Sequence, residues 1–236
     1  MEDGAKGERV MLRLAGIFAL FSAACFVNAA LRHGSLWWLW PGVAFAVVAV
    51  AYGGAGPVIF GKSAKGRLSL WRIALLLPYL LMTWAIWYVR RAIGREPAAH
   101  EIAPGVWLGR WPFSRELPAD IACVVDFTAE FPGVRTPAGV EYLTFPTLDY
   151  GAPDVNHLRA ALDRIGDRPT YVHCAMGRGR SAALAAALLV RRGLAADIDA
   201  AEMMLRAVRP RVRLTKSQKA AAQAAAEAPA QPPRAQ

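Results

Sequence analysis

The chain has 236 residues, 55% of them hydrophobic, with a net charge of +10 and a mean hydropathy of +0.25. That length holds one ordinary soluble domain plus a membrane anchor, or two small domains, and the apolar share is too high for a purely soluble protein. Three cysteines, Cys25, Cys123 and Cys174, with no Cys-x-x-Cys pair, exclude a disulfide scaffold and a cysteine-based metal knuckle.

Charge and hydropathy divide the chain near residue 96. The first 96 residues carry 11 Lys/Arg against 4 Asp/Glu, and the remainder 17 against 14. The basic excess flanks apolar runs, which suits anionic lipid headgroups. No nucleic-acid motif accompanies it, so a nucleic-acid partner is set aside.

Three apolar runs fill the first region, at about Val10–Leu31, Leu39–Phe60 and Leu70–Tyr88. Each is roughly 20 residues, the length of a bilayer-crossing helix. Trp37, Trp38 and Trp40 precede the second run, and Trp71, Trp84 and Trp87 lie around the third, a distribution that suits membrane interfaces. Residues 1–96 are therefore expected to form a membrane region of about three spans. Ser22-Ala23-Ala24-Cys25 faintly resembles a lipoprotein cleavage site but lacks the usual first aliphatic residue, and two more spans follow. Gly53, Gly54, Gly56 and Pro57 mark the second run as a broken or short span.

Orientation is read two ways. Lys6, Arg9, Arg13, Lys62, Lys65, Arg67 and Arg72 share one side, against Arg32, Arg90, Arg91 and Arg95 on the other. This count would put the C-terminal domain outside. The thiol chemistry developed below prefers a reducing compartment, so the expectation is a bacterial-type inner (plasma) membrane with the catalytic domain cytoplasmic.

From Pro97 the pattern changes. Strand-like runs at Val106–Gly109, Ile121–Phe127, Glu141–Phe145 and Thr170–His173 alternate with helical patterns at Val155–Ile165, Arg180–Arg192, Ile198–Val208 and Ser217–Ala226. Interleaving of this kind predicts an α/β domain over 97–226 with at least part of its sheet parallel. The segment 227–236, rich in Ala, Pro and Gln, reads as a disordered tail.

The chemistry concentrates in Tyr171-Val172-His173-Cys174-Ala175-Met176-Gly177-Arg178-Gly179-Arg180-Ser181. A strand ends here and an Ala/Leu-rich helix begins. A loop leading into a helix N-terminus turns successive N–H groups toward one point and makes an anion cradle. Gly177 and Gly179 permit the curl. The same groups stabilise a thiolate at Cys174, and Arg180 brings a planar fork for two phosphate oxygens. A nucleophile at the floor of a phosphate cradle is a phosphoryl-transfer site.

This H-C-x-x-x-x-x-R-S segment resembles the signature of the protein tyrosine phosphatase superfamily, and residues 101–218 resemble its compact dual-specificity branch. Glu101-Ile102-Ala103-Pro104-Gly105-Val106-Trp107-Leu108-Gly109-Arg110 is similar to that branch's opening strand, and Arg209-Pro210-Arg211-Val212 to its stretch after the helix following the loop. The loop is also similar to that of the mitochondrial phosphatidylglycerophosphate phosphatase branch.

The resemblance implies a central sheet flanked by helices and a phosphocysteine formed at Cys174. Arg180 would bind the equatorial oxygens with the backbone of Ala175, Met176, Gly177, Arg178 and Gly179. Ser181 would stabilise the departing thiolate, and His173 would hold the loop and the thiol's protonation state. No metal or cofactor is implied. The general acid it requires matches Asp149 best, in Pro146-Thr147-Leu148-Asp149-Tyr150, with Asp154 in reserve. The implied partner is the membrane together with a phosphorylated lipid or a phosphotyrosine or phosphoserine protein.

Other residues read more plainly. Cys25 and Cys123 are buried apolar fillers, although Cys123 could protect Cys174 as a disulfide. Asp126 and Glu130 read as turn and surface residues, and His157 as a surface residue. Arg178 reads equally as solvated or as a rim contact for an anion. A catalytically inactive phosphate-binding module would usually lack the cysteine, the arginine or the acid. A rhodanese-like loop would place its arginine where Gly179 stands.

Overall fold

The computed structural model describes residues 2–31, 35–94 and 96–227. Arg32 and Arg95, which enter the charge count, and all but the first residue of the expected tail lie outside the described residues. The chain divides into two compact units. One comprises the residues up to Glu96 together with Thr128–Gly133 and Pro146–Gly151; the other holds the rest.

Three helices dominate the first unit: α1 (Glu2–Leu31), α2 (Leu39–Val50) and α3 (Leu70–Ile93). The segments Arg9–Leu31, Leu36–Ala55 and Leu70–Ile93 are long and apolar enough to cross a membrane. The inner faces meet through small and aromatic residues. Ser22 donates to the carbonyl of Gly42 (2.8 Å), and Phe18 stacks on Phe45 and meets Tyr79 edge-on. The outer faces carry Leu20, Leu31, Leu70 and Trp71, each more than 60% exposed. A surface of that composition suits acyl chains rather than water.

The second run stops earlier than the expected Leu39–Phe60. Its helix gives way at Ala51–Ala55, where Gly54 takes φ +136°, and Gly56 (φ +74°) leads into a short turn at Pro57–Phe60. Both angles lie in the region that favours glycine, and Pro57 cannot donate the next helical hydrogen bond. The third helix instead runs five residues past the expected Tyr88, ending with Arg90 and Arg91 in its last turn. Between them, an antiparallel bridge joins Lys62 to Leu68.

In the second unit the strands are β1 (Ala99–Ala103), β2 (Val106–Arg110), β3 (Cys123–Thr128), β4 (Glu141–Thr147) and β5 (Thr170–Cys174), in the order β1-β2-β5-β3-β4. The first pair is antiparallel, whereas β5 runs parallel to both β2 and β3. Around this mixed sheet lie α4 (Val155–Ile165), α5 (Arg180–Arg191), α6 (Ile198–Val208) and α7 (Lys216–Ala226). This is the helix-flanked α/β architecture expected from the sequence.

The centre of the sheet fixes the reactive loop. Every residue of β3 and β5 is buried, as a strand with neighbours on both edges and helices against its faces must be. Ten residues of α5 are buried, from Arg180 to Leu189, and five of them are alanines whose small side chains let sheet and helices approach closely. Asp197 caps α6 by accepting from Ala200 N (2.7 Å), and Thr215 with Gln218 forms a capping box on α7. Such caps are worth about 1 kcal/mol each.

Candidate active site

The loop between β5 and α5 brings Cys174, Gly177, Arg180 and Ser181 together. Cys174 is the last residue of β5 and is 3% exposed. Its Sγ accepts the backbone N–H of Gly177 at 3.3 Å and the hydroxyl of Ser181 at 3.2 Å. Burial pushes this thiol up. The Arg180 guanidinium, the Ser181 hydroxyl and the N–H groups of Ser181 and Arg178 outweigh that push and hold it below the ordinary thiol range. The helix N-terminus thus favours a thiolate at the C-terminal end of the central strand.

Arg180 is almost fully buried, and its Nη1 donates to the carbonyl of Phe127 at 3.3 Å. The delocalised guanidinium stays charged even when buried, so Arg180 sets a positive charge that acts on the sulfur. Gly177 stands at φ +66°, and a Cβ there would sit 2.3 Å from the carbonyl oxygen of Gly109. Only glycine fits that bend. Ala175 is buried, while Met176, Arg178 and Gly179 are half-buried.

The loop is braced from behind by groups that sequence reasoning did not single out. Arg209 is buried; its Nη2 donates to Met176 O (3.2 Å), and its Nη1 lies 2.9 Å from His100 Nδ1. The Arg178 carbonyl accepts from Arg213 N, and Ala175 O from Trp111 N. The only sequence signal for Arg209 was its place in the quoted Arg-Pro-Arg-Val stretch.

Asp126 corrects an expectation. It is not a turn residue but is fully buried in β3, set opposite His173 by the parallel register. Its Oδ1 lies 3.7 Å from His173 Nδ1, and its Oδ2 accepts from the Tyr142 hydroxyl at 2.6 Å. Burial, then the Asp126 charge, pushes the Tyr142 phenol well up, so Tyr142 stays a donor. The signal was an acidic residue inside an apolar strand, Cys123-Val124-Val125-Asp126-Phe127. Glu130, also read as a surface residue, is 3% exposed.

Cys123 cannot serve Cys174 as a disulfide partner. It pairs in register with Thr170, four residues before Cys174 on the parallel strand. At about 3.3 Å per residue that offset is roughly 13 Å, beyond the ~7 Å limit for bridged Cα atoms. Burial pushes its thiol up to about 11.

The two acid candidates differ in setting. Asp154 is the N-cap of α4, and its Oδ1 accepts from Asn156 N (2.8 Å) and His157 N (3.2 Å). Asp149 is exposed, at the tip of a turn closed by Gly151 N to Leu148 O (3.0 Å). It belongs to the unit of the apolar helices, whereas Cys174 belongs to the other.

No protein-family model matches the chain, and no curated protein matches it. Solved structures similar to it include that of PTPMT1 in complex with PI(5)P, at 25% identity over 55% of this chain and 95% of that one, with a TM-score of 0.48. The active form of Tk-PTP is 30% identical over 56% of this chain and 97% of that one, with a TM-score of 0.47. Human DUSP28 is 26% identical over 56% and 95%, with a TM-score of 0.44.

Proposed function

We propose that this chain is a membrane-anchored phosphatase that hydrolyses phosphate monoesters through a phosphocysteine at Cys174. The observation that carries the reading is the sulfur itself. It is buried at a helix N-terminus, accepts from Gly177 N–H and Ser181 hydroxyl, and lies under the charge of a buried Arg180. A thiolate so prepared is a nucleophile, and the cradle around it matches a phosphoryl group.

In the first step Sγ attacks phosphorus and the ester P–O bond breaks. Asp149 gives its proton to the leaving oxygen. Arg180 and the loop amides hold the equatorial oxygens as charge spreads over them. In the second step water attacks phosphorus, Asp149 takes its proton, and the S–P bond breaks. Inorganic phosphate leaves, and Ser181 donates to the returning thiolate. His173, paired with Asp126, fixes the strand end from which the sulfur projects. These roles need no metal, because Arg180 and the amides supply the positive charge.

The apolar helices confine the enzyme to substrates at the membrane, either a phosphorylated lipid headgroup or a phosphotyrosine or phosphoserine protein. The domain organisation proposed is a membrane region to residue 96 and a phosphatase domain over 97–226. We place the catalytic domain on the cytoplasmic side of a bacterial-type inner membrane, where a reducing milieu preserves the thiolate. Labelling of Asp167→Cys, an exposed residue of the catalytic domain, with a membrane-impermeant maleimide tests that side: labelling only after the cells are permeabilised is expected, and labelling of intact cells overturns the placement.

The activity test is phosphate release by the full-length protein in detergent. Phosphatidylglycerophosphate, phosphoinositides and a phosphotyrosine peptide are compared, with Cys174→Ser as the control. Release that disappears in the variant supports the mechanism, and the preferred substrate separates lipid from protein. A folded, reduced protein that releases phosphate from none of them overturns the reading in favour of a phosphate-binding module.

A further inference from the structure

We propose that the C-terminal half of α6 and the segment after it form a surface that lies on anionic lipid, so that the phosphatase domain itself touches the bilayer. The inference rests on the membrane reading above and goes beyond the phosphatase reading.

The surface has an apolar part and a basic part. On α6, Ile198, Ala201 and Leu205 turn into the core, while Met203, Met204 and Val208 are 67%, 37% and 37% exposed. After the helix Val212 and Leu214 turn inward, and Arg211 and Arg213 are exposed, as is Arg206 on the helix itself. Glu202 joins the two parts, its Oε1 accepting from Leu214 N at 2.9 Å. An apolar helix face edged by arginines fits the headgroup zone, where the apolar groups reach acyl chains and the guanidinium groups stay among phosphates.

Charge selects the occupant. No acidic residue lies between Met203 and Lys216 in the sequence. The acids of α6 and its cap are otherwise engaged: Glu202 is buried, Asp197 accepts from Ala200 N, and Asp199 pairs with Lys219 at 2.5 Å. A second copy docked face to face would set arginine against arginine, whereas an anionic bilayer complements all three.

The path of the chain keeps this surface near lipid. Arg209, the residue that ends α6, donates from Nη1 to Pro97 O at 3.5 Å. Pro97 comes four residues after Ile93, where the third apolar helix ends with Arg90 and Arg91 in its last turn. Four residues of extended chain span at most about 14 Å. The segment also borders the reactive loop, since Arg209 Nη2 donates to Met176 O and Arg213 N to Arg178 O. Contact here therefore brings the loop to the headgroup layer.

The test uses the full-length Cys174→Ser protein in vesicles, with an environment-sensitive nitrobenzoxadiazole label on Met203→Cys. Cys25 and Cys123 are buried and should stay unlabelled. Adding phosphatidylglycerol to phosphatidylcholine vesicles should shift the emission to the blue, and high salt should reverse the shift. Combining Arg206→Gln, Arg211→Gln and Arg213→Gln should weaken the docked state roughly 100-fold, about fivefold for each arginine, and abolish the shift. The salt reversal needs no arginine variant, which covers a failure of the triple variant to fold. A label on Asp167→Cys, before the end of β5 opposite to residue 174, should not respond.

A label at 203 that does not move, or a shift indifferent to phosphatidylglycerol and salt, would overturn the inference and leave the phosphatase reading standing. A shift that fades as the protein is diluted into more vesicles would also overturn it, assigning the surface to a second copy. A protein that alkaline carbonate strips from the vesicles would remove the membrane reading and this inference with it, whatever its phosphatase activity.

Discussion

The loop around Cys174 and the turn around Asp149 are built on opposite plans. The loop around Cys174 is satisfied from within its own domain: strand register, a helix N-terminus, a buried Arg180, and Arg209 from behind. The turn around Asp149 takes its support from apolar helices more than fifty residues earlier in the chain. The loop thus depends on the sheet, and the turn on the apolar helices. Perturbing either should leave a different trace.

The largest effect belongs to the sulfur. Cys174→Ser should reduce phosphate release at least about 10⁴-fold, because an alcohol in the same cradle is not ionised. Circular dichroism should show an unchanged fold, and a variant retaining more than a hundredth of the activity would contradict the assignment.

Gly177→Ala comes next. Its Cβ would meet the Gly109 carbonyl, on a strand that cannot yield without breaking its pairing to β5. A loss of about 2–3 kcal/mol in unfolding free energy is expected, with activity falling in step. Gly139→Ala, at a positive-φ turn with open space around it, should cost only about 1 kcal/mol. Comparable melting shifts for the two would mean that the close approach at Gly177 is not what constrains the loop.

Ser181→Ala should be milder and pH-dependent. Removing its hydroxyl takes away one of the groups holding the Cys174 thiol low, so the thiol's pKa rises. The limb of kcat/KM that reports thiolate formation should move to higher pH, with turnover lost mainly below it. Rapid-quench labelling should also find more phosphocysteine at steady state, since the departing thiolate has lost a donor. A limb that stays in place would disconnect Ser181 from the sulfur.

The smallest effect concerns Cys123. Its thiol is pushed up to about 11 and lies beyond bridging distance, so Cys123→Ser should leave both the rate of peroxide inactivation and its reversal by thiol unchanged. Iodoacetamide followed by mass spectrometry should modify Cys174 well before Cys123 in the folded wild type.

Local features of this fold were legible because local rules produce them. The periodicity of Val155–Ile165 and Ile198–Val208 located α4 and α6 within their observed bounds, and the Cys174–Ser181 segment announced its cradle through residue type and offset. What stayed hidden depends on partners distant in sequence. Asp126 read as a turn residue because its partners, His173 and Tyr142, come 47 and 16 residues later. The strand β1 (Ala99–Ala103) lies outside the expected run Val106–Gly109, since Ala-His-Glu-Ile-Ala lacks the apolar pattern that marks β2. A clean boundary at residue 96 follows from hydropathy, yet Thr128–Gly133 and Pro146–Gly151 cluster with the helices, and no local pattern in either segment says so.

That clustering also sets an order in time. Translation proceeds at about 5–20 residues per second, so the helices are complete several seconds before Leu148 leaves the ribosome. Through that interval Lys62 and the Leu148 niche await groups that have not yet been made. The helical unit cannot reach its final packing until residue 151 has been made, and by then the ribosome is already close to the nucleophile. A nascent chain halted after Phe127 would therefore hold a helical unit still short of its last two segments.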